Sequence, residues 1–177
     1  RMSDVMSVGG LEAAWGTDAA NGAQPNEDRV ACEPLPEGAG VLVVVSDGMG
    51  GHSAGDTAST IVCEVLLQAA PALGTGLPAE ERFEALLAAF QKADASVRET
   101  AARELSLTGM GATALAAAIT PATCLHAHTG DSRLYHFRAG ERLYRTQDHS
   151  VVELKREIGE IDEEGMQHHP MQNMLLA

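Results

Sequence analysis

One stretch of the chain joins an apolar run to a carboxylate and a glycine-rich turn, and it reads Val41-Leu42-Val43-Val44-Val45-Ser46-Asp47-Gly48-Met49-Gly50-Gly51-His52. Its first five residues are apolar and four of them are β-branched, which predicts a fully buried strand. After Asp47, three of the next four residues are glycine, so the backbone can turn sharply and other groups can approach it closely. The stretch therefore places a carboxylate at the rigid end of a buried strand, beside exposed backbone carbonyls.

Two interpretations of this turn stay open on the stretch alone. Carboxylate and carbonyl oxygens are the ligands that Mg2+ and Mn2+ prefer, so Asp47 and the carbonyls after it can form part of a metal site. Alternatively, the polar residues close the strand and the glycines serve only the geometry of a strand-to-helix turn.

The composition limits which partners the protein can bind and in which cellular compartment we expect it. The 177 residues fit one domain with a substantial core, and an aromatic content of 3% means that aliphatic residues and alanine must fill it. A net charge of -13 argues against nucleic acid and anionic membranes as partners. No apolar run approaches transmembrane length, and we expect no signal peptide. Cys32, Cys63 and Cys124 lie in apolar segments without a CxxC motif, so we interpret them as buried free thiols in the reducing cytoplasm.

The order of the predicted elements indicates an α+β fold. The elements are strands at 11–17, 30–32 and 41–46, helices at about 54–69 and 79–105, strands at 112–120, 124–129, 133–138 and 142–145, and a helix at 151–158. No helix separates the second strand from the third, which favours antiparallel pairing. An irregular acidic segment follows at 159–165. We predict helices that cover one or more antiparallel sheets.

Five carboxylates stand at the ends of predicted strands: Glu27, Asp28, Asp47, Asp131 and Asp148. Carboxylates of distant strands can converge on one rim, where they raise each other's pKa unless a cation lies between them. Each can instead cap a turn, as Asp and Asn commonly do. We favour a functional role for Asp47 and Asp131, which lie in Asp-Gly and Gly-Asp turns after apolar strands. For Asp148 both roles stay open.

Three histidines, His52, His126 and His128, can likewise have either a functional or a structural role. His126 and His128 are two residues apart, so they would share one face of a strand and could bind zinc together. The sequence places no third nitrogen or sulfur ligand, and we therefore favour packing or surface roles for both. His52 follows the glycine turn directly, where it can act as an acid or base near neutral pH or simply end the turn.

Five motifs follow one another along the chain, and together they carry a family resemblance. They are Asn26-Glu27-Asp28, Ser46 to His52, Gly111-Ala112-Thr113, Thr129-Gly130-Asp131-Ser132-Arg133 and Gln147-Asp148-His149-Ser150. In this order they resemble the bacterial branch of the metal-dependent, type 2C (PPM) protein serine/threonine phosphatases, from about residue 10 to the last residue. The resemblance implies a four-layer sandwich of two antiparallel β-sheets flanked by helices, in a single phosphatase-like domain over residues 1–177.

The resemblance also implies a reaction and its residues. Members of the family hydrolyse phosphoserine and phosphothreonine in proteins with a water activated by two or three Mn2+ or Mg2+ ions, without a covalent phosphoenzyme. Asp47 is expected to bridge two ions, and the carbonyl of Gly48 to bind one. Glu27 and Asp28 are expected to hold metal-bound waters or an ion directly, so that Asp47, Glu27 and Asp28 are the expected catalytic residues. Asp131 is expected to help bind a third ion.

Two departures from the family pattern bear on activity. Ala23 stands where the family usually has a phosphate-binding arginine, and the loss of such a charge-assisted contact can cost roughly 1.5–3 kcal/mol. The family's two further metal-binding aspartates, in a Ser-Asp-Gly motif and an Asp-Asn pair, find no match after residue 150. We therefore expect the domain to be incomplete at its C-terminal end, with exposed sheet edges through which it can self-associate.

Two functions from different classes follow. The first is a cytoplasmic signalling phosphatase that acts on a phosphorylated protein opposite a cognate serine/threonine kinase, and Asp47-Gly48 favours it. The alternative is a catalytically weak or inactive phosphatase-like domain that acts as a binding or regulatory module, which Ala23 and the missing aspartates favour. A phospho-acceptor domain is disfavoured by the antiparallel strand order and by the loop from Gly48 to Gly51.

Overall fold

The computed structural model describes residues 2–19, 26–172 and 174–176. Ala23 lies outside the described residues, so the prediction attached to it stays a prediction. The chain forms two compact units, Arg1–His128 and Thr129–Ala177. The prediction of one domain over 1–177 also stays a prediction.

The first unit is built around a five-stranded sheet. Its elements are β1 (Met2–Val8), β2 (Leu11–Thr17), β3 (Asp28–Pro34), β4 (Val41–Met49), α1 (His52–Leu67), α2 (Ala79–Arg103), β5 (Gly111–Ala112), β6 (Ala114–Ile119) and β7 (Cys124–Thr129). The sheet order is β3-β4-β6-β7, with β5 paired to the end of β4, while β1 and β2 form a separate antiparallel hairpin. β4 pairs antiparallel with both β3 and β6, so the stretch that carries Asp47 is an interior strand.

β4 is fully buried on one face only, so the prediction of a fully buried strand is wrong for the other face. Leu42, Val44 and Ser46 have no exposed surface, whereas Val43 and Val45 are half-buried. The physical reason is that α1 covers the face of Leu42 and Val44, and α2 packs on α1 in the same core. Their own buried positions join the same core with helical spacing, at Ala54, Ala58, Val62 and Leu66 in α1 and Leu86, Ala89, Ala93 and Val97 in α2.

The second unit contains a hairpin and two short helices. They are β8 (Tyr135–Arg138), β9 (Glu141–Arg145), α3 (Val151–Glu157) and α4 (Glu163–Gln167). Ser150 caps α3, since its hydroxyl accepts a hydrogen bond from the Glu153 N–H. The carboxylate of Asp162 caps α4 by accepting from the Gly165 N–H at 2.8 Å. The expectation that 159–165 is irregular throughout is therefore wrong at its end, where a cap and two acidic residues favour a helix N-terminus.

The α+β class with antiparallel sheets is confirmed. The cysteine prediction is only partly right: Cys63 is buried, Cys32 is half-buried and Cys124, the first residue of β7, is exposed. Burial raises the pKa of the Cys63 thiol to about 11, despite the opposing charge of Arg29. Within the described residues, no helix combines the length and the apolar character needed to cross a bilayer.

Candidate active site

Thr113, which stands between β5 and β6, holds the backbone of Asp47 at the end of β4. The Asp47 N–H donates to Thr113 Oγ1 at 2.9 Å, and the Thr113 N–H donates to the Asp47 carbonyl at 2.8 Å. The hydroxyl of Ser46 donates to the Thr113 carbonyl at 2.7 Å. Ser46 and Thr113 are buried, whereas Asp47 is exposed. A rigid, water-excluded strand end therefore presents a solvent-facing carboxylate.

Asp28 lies directly opposite Asp47 in the antiparallel register of β3 and β4. Directly opposed residues place their side chains on the same face, with Cβ atoms about 4.5–5.5 Å apart, and like charges in such a pair are destabilising. Both side chains are exposed. A divalent cation between the two carboxylates would replace this repulsion with attraction, and oxygen donors suit Mg2+ and Mn2+. The residues present thus fit a divalent cation such as Mg2+ or Mn2+.

Glu27 is brought against Gly48 by an unusually close approach of two glycines. The Gly48 N–H donates to the Glu27 carbonyl at 3.2 Å, and the Ser59 hydroxyl donates to the same carbonyl at 2.6 Å. A Cβ on Gly48 would overlap the carbonyl oxygen of Gly55 in α1, and a Cβ on Gly55 would overlap the carboxylate of Glu27. Both glycines are therefore needed for space, and they allow Glu27, Gly48 and α1 to meet.

The turn that carries Glu27 is held by Asn26 and Arg29. The Asn26 amide donates to the Thr17 hydroxyl at 2.6 Å, and its oxygen accepts from the Asp28 N–H at 3.1 Å. Arg29 Nη1 donates to the carbonyls of Asn26 (3.0 Å) and Asp28 (2.9 Å), while Nη2 pairs with Asp56 of α1. Sequence reasoning assigned no role to Arg29, although its place directly after Asn26-Glu27-Asp28 is a usable signal.

The glycine turn leads directly into α1. Gly50 and Gly51 have φ angles of 121° and 87°, which side-chain-bearing residues rarely adopt. The N–H groups of Ala54 and Gly55 donate to the Gly51 carbonyl, so α1 begins immediately after the turn. His52 is its first residue, but its side chain lies outside the description, and the two roles considered for it stay open.

Asp131 lies in the second unit, in a loop held from both sides. The Gly130 carbonyl before it accepts from the His149 N–H at 2.9 Å. Arg133 after it makes a bidentate pair with Asp148, with Nε at 2.7 Å and Nη2 at 2.5 Å from the two carboxylate oxygens. Hydrogen bonding to Asp148 raises the pKa of Arg133 still further above its ordinary value. Asp148 is 8% exposed, and its pairing with Arg133 favours a structural role for it over a functional one.

The structure brings together Glu27, Asp28, Asp47 and Gly48 within the first unit. Across 2–19, 26–172 and 174–176, no group of three or more Asp, Glu, His or Cys side chains is arranged to hold a metal ion. The oxygen donors that would hold an ion at this rim are the carboxylates of Asp28 and Asp47 and the carbonyl of Gly48. That set suits Mg2+, which keeps much of its hydration shell.

His126 and His128 do not gain a third ligand among these residues. Leu125 and Ala127 pack against the core under the helices, so the alternation of β7 places both histidines on the opposite face. Burial, and to a lesser degree the charge of His128, lowers the pKa of His126. Both side chains are half-buried, and the preference for packing or surface roles over a zinc pair stays a prediction.

Comparisons with known proteins agree with the motifs. The family described as Protein phosphatase 2C matches residues 15–172. The serine/threonine phosphatase stp of Listeria welshimeri is 37% identical over 135 residues, which is 76% of this chain and 54% of that protein. The serine/threonine protein phosphatase PstP of Mycobacterium tuberculosis is 31% identical over 135 residues, 76% of this chain and 26% of its own length.

Solved structures show the same fold. The serine/threonine phosphatase Stp1 from Staphylococcus aureus superposes with a TM-score of 0.81 at 25% identity, covering 98% of this chain and 63% of that one. The S. agalactiae serine/threonine phosphatase gives 0.77 at 27% identity, covering 99% and 67%. This chain spans about half the length of the stp relative that it matches. By its sequence match, its motifs and its fold, the chain belongs to the protein phosphatase 2C family.

Proposed function

We propose that this chain carries the metal-binding rim of a protein serine/threonine phosphatase that hydrolyses phosphoserine and phosphothreonine with Mn2+ or Mg2+. The observation that carries the proposal is the opposed pair of Asp28 and Asp47, set beside the Gly48 carbonyl at the end of an interior strand. Relatives named as serine/threonine phosphatases support the same reaction. When bound, two or three ions would acidify a water toward neutral pH and stabilise negative charge on the phosphoryl oxygens.

The chain's own residues have distinct roles in this proposal. Asp47 would hold the ions, and the hydrogen bond from its N–H to Thr113 fixes the end of β4, so that little reorganisation is needed when charge develops. Gly48 would contribute its carbonyl. Glu27 and Asp28 would bind an ion or accept hydrogen bonds from the waters around it, and would so orient a water for in-line attack on phosphorus. Asp131 is proposed as a ligand of a further ion on the basis of its motif.

The alternative is a phosphatase-like domain that binds a phosphoprotein but turns it over weakly or not at all. What favours it is the sparse donor set: the described residues contain no three-carboxylate group, and Ala23 stands where the family has an arginine. Under either function we propose a phosphorylated signalling protein as ligand, a cognate serine/threonine kinase and a cytoplasmic location. We also propose self-association through the sheet edges at β3 and β7, which light scattering would detect.

The decisive experiment is phosphate release from a phosphothreonine peptide by this chain in Mn2+. Asp47→Asn should lower the rate by more than about 100-fold, beyond the usual cost of losing an outer partner of a metal site. Asp94→Asn is the matched control, since Asp94 is an exposed acid of α2 whose ion-pair partner within the described residues is Arg98. Equal rates in the two variants would contradict the assignment of Asp47. No turnover in the parent, with phosphopeptide binding retained, would favour the binding module.

A further inference from the structure

The peptide group that joins Glu27 to Asp28 is hydrogen-bonded at both of its ends. Its carbonyl, which belongs to Glu27, accepts from the Gly48 N–H at 3.2 Å and from the Ser59 hydroxyl at 2.6 Å. Its N–H, which belongs to Asp28, donates to the side-chain oxygen of Asn26 at 3.1 Å. A carbonyl oxygen has two lone pairs, and these two donors engage both of them. The plane of this peptide is therefore fixed by groups from α1, from β4 and from the turn itself.

The orientation of this peptide bears on the two acidic side chains beside it. A peptide group is planar, so the torsions on its two sides are ψ of Glu27 and φ of Asp28. Together these torsions set the direction of one side chain relative to the other. Metal sites commonly lose affinity when the groups that orient their ligands are removed. A loosened peptide would therefore weaken any ion that depends on both carboxylates.

Ser59 is an unexpected residue for the buried side of α1. It has no exposed surface, and alanine fills other buried positions of this helix, at Ala54 and Ala58. Serine is less favourable than alanine inside a helix, where its hydroxyl commonly bonds back to a carbonyl of the same helix. The Ser59 hydroxyl lies 3.2 Å from the Asp56 carbonyl but 2.6 Å from that of Glu27. The shorter contact thus reaches outside the helix, to the turn that carries the two acids.

We propose that Ser59 is a positioning residue for the divalent-cation site at the end of β4. It acts through the peptide between Glu27 and Asp28 and is not itself a ligand of the ion. The inference rests on the proposed function, because that function assigns both carboxylates to the ion or to its waters. The contacts that carry it all lie within the first unit, from Asn26 in the turn to Ser59 in α1.

The test is the dissociation constant of Mn2+, measured on this chain by isothermal titration calorimetry, which needs no turnover. Ser59→Ala should raise it about tenfold, within the range usual for loss of an outer partner of a metal site. Asn26→Ala removes the acceptor at the other end of the same peptide and should raise it by a similar factor. If Ser59→Ala fails to fold by circular dichroism, Asn26→Ala supplies the comparison.

Two variants of α1 serve as controls. Thr57→Ala removes a hydroxyl that donates at 2.7 Å to the Ser53 carbonyl of the same helix. Val62→Ala removes buried apolar volume and should lower the unfolding temperature at least as much as Ser59→Ala does. Both should keep the parent's dissociation constant, because the Glu27 carbonyl keeps its two donors. Equal losses of Mn2+ affinity in Val62→Ala and Ser59→Ala would overturn the proposal, since a general loosening of α1 would then explain them.

Asp47→Asn separates this proposal from the function on which it rests. If Asp47→Asn loses Mn2+ binding while Ser59→Ala keeps the parent's dissociation constant, the ion site stands and the role given to Ser59 is wrong. If the parent and Asp47→Asn bind Mn2+ equally, the proposed site is wrong and the inference fails with it.

A second measurement tests the peptide directly and without metal. In proton–nitrogen correlation spectra of the metal-free chain, the amide signals of Asp28 and Gly48 should shift more in Ser59→Ala than in Thr57→Ala. Both amides belong to the hydrogen bonds around the Glu27–Asp28 peptide. Equal shifts in the two variants would show that Ser59 does not hold this peptide and would overturn the proposal.

Discussion

Thr113 exchanges two hydrogen bonds with the backbone of Asp47 and accepts a third from Ser46. Only one of these contacts uses its side chain, the acceptor Oγ1 at 2.9 Å from the Asp47 nitrogen. The residue is 2% exposed, so water cannot replace a lost acceptor. Thr113 is not itself a proposed metal ligand. Its side chain nevertheless helps to position Asp47, which is one.

We predict that Thr113→Val destabilises the fold by about 1–3 kcal/mol, because it leaves the partly buried Asp47 N–H without the Thr113 hydroxyl as acceptor. Valine keeps the shape of threonine, so packing changes little. Mn2+ affinity should fall as well, since one of the two hydrogen bonds that hold the Asp47 backbone is lost. Urea unfolding and calorimetric titration measure the two effects. Thr113→Ser keeps the hydroxyl and is the control; equal losses in both variants would show that the methyl group, not the hydrogen bond, matters.

The backbone of Gly48 lies too close to the carbonyl oxygen of Gly55 to leave room for any side chain at position 48. Gly48→Ala should destabilise the protein by at least about 1–3 kcal/mol, the usual cost of overpacking, since the obstacle is backbone and cannot move aside. Gly76→Ala is the control, as a Cβ there meets nothing within 4 Å. Thermal unfolding of both variants gives the comparison, and a Gly48→Ala protein as stable as the parent would refute the close approach.

At the scale of elements, β7 shows how one strand serves two environments. Leu125 and Ala127 pack into the core under the helices, while His126 and His128 lie on the other face, half-buried. Burial disfavours the charged imidazole and lowers the pKa of His126 below 6.5, its ordinary value. The unfolded chain therefore binds more protons than the folded chain as pH falls through that range.

Because the pKa of His126 is lower in the folded chain than in the unfolded chain, we predict that His126 makes the protein less stable as pH falls below about 6.5. Well above that value it contributes nothing to the pH dependence of stability. His126→Gln should therefore show a shallower loss of unfolding free energy between about pH 7 and pH 5 than the parent. His136→Gln, at an exposed position of β8, is the control. Parallel stability curves for parent and His126→Gln would contradict the desolvation of this imidazole.

At the scale of the whole molecule, a net charge of -13 favours the binding of divalent cations anywhere on the surface. The opposed carboxylates of Asp28 and Asp47 favour binding at one site, the end of β4. A ligand that binds only the folded chain stabilises it by about 2.7 kcal/mol at about a hundred times its dissociation constant. Non-specific counterions would stabilise any variant of similar charge.

We therefore predict that Mn2+ raises the unfolding temperature of the parent and of Asp94→Asn, whereas Asp47→Asn loses most of the rise. EDTA should reverse the effect. Differential scanning fluorimetry at constant ionic strength measures all three proteins. A rise of the same size in Asp47→Asn would mean that the ions bind through the general charge of the molecule rather than at the rim of β4.

Local patterns accounted for much of the fold. β2 and β7 occupy the predicted 11–17 and 124–129, and α2 begins at the predicted Ala79, because alternation, helical spacing and turn residues are properties of neighbours in sequence. β1 was missed, since it is a strand through pairing with β2 and its Val5 is 75% exposed. β4 runs past the predicted Ser46 to Met49, because β5 pairs with Gly48 and Met49.

The carboxylates of the rim were also identifiable from sequence, because Asp and Glu beside glycines at strand ends carry their chemistry in their own side chains. The groups that position them were not assigned that role from the sequence, although Thr113 lies in one of the five motifs. Thr113, Gly55, Ser59 and Arg29 act through contacts with residues as many as 67 positions away, as in the hydrogen bond from Ser46 to Thr113. Such contacts form only when the chain folds. The residues next to Thr113 in sequence do not indicate that it contacts Asp47. The chemistry of the site is local to its residues, whereas its rigidity comes from long-range packing.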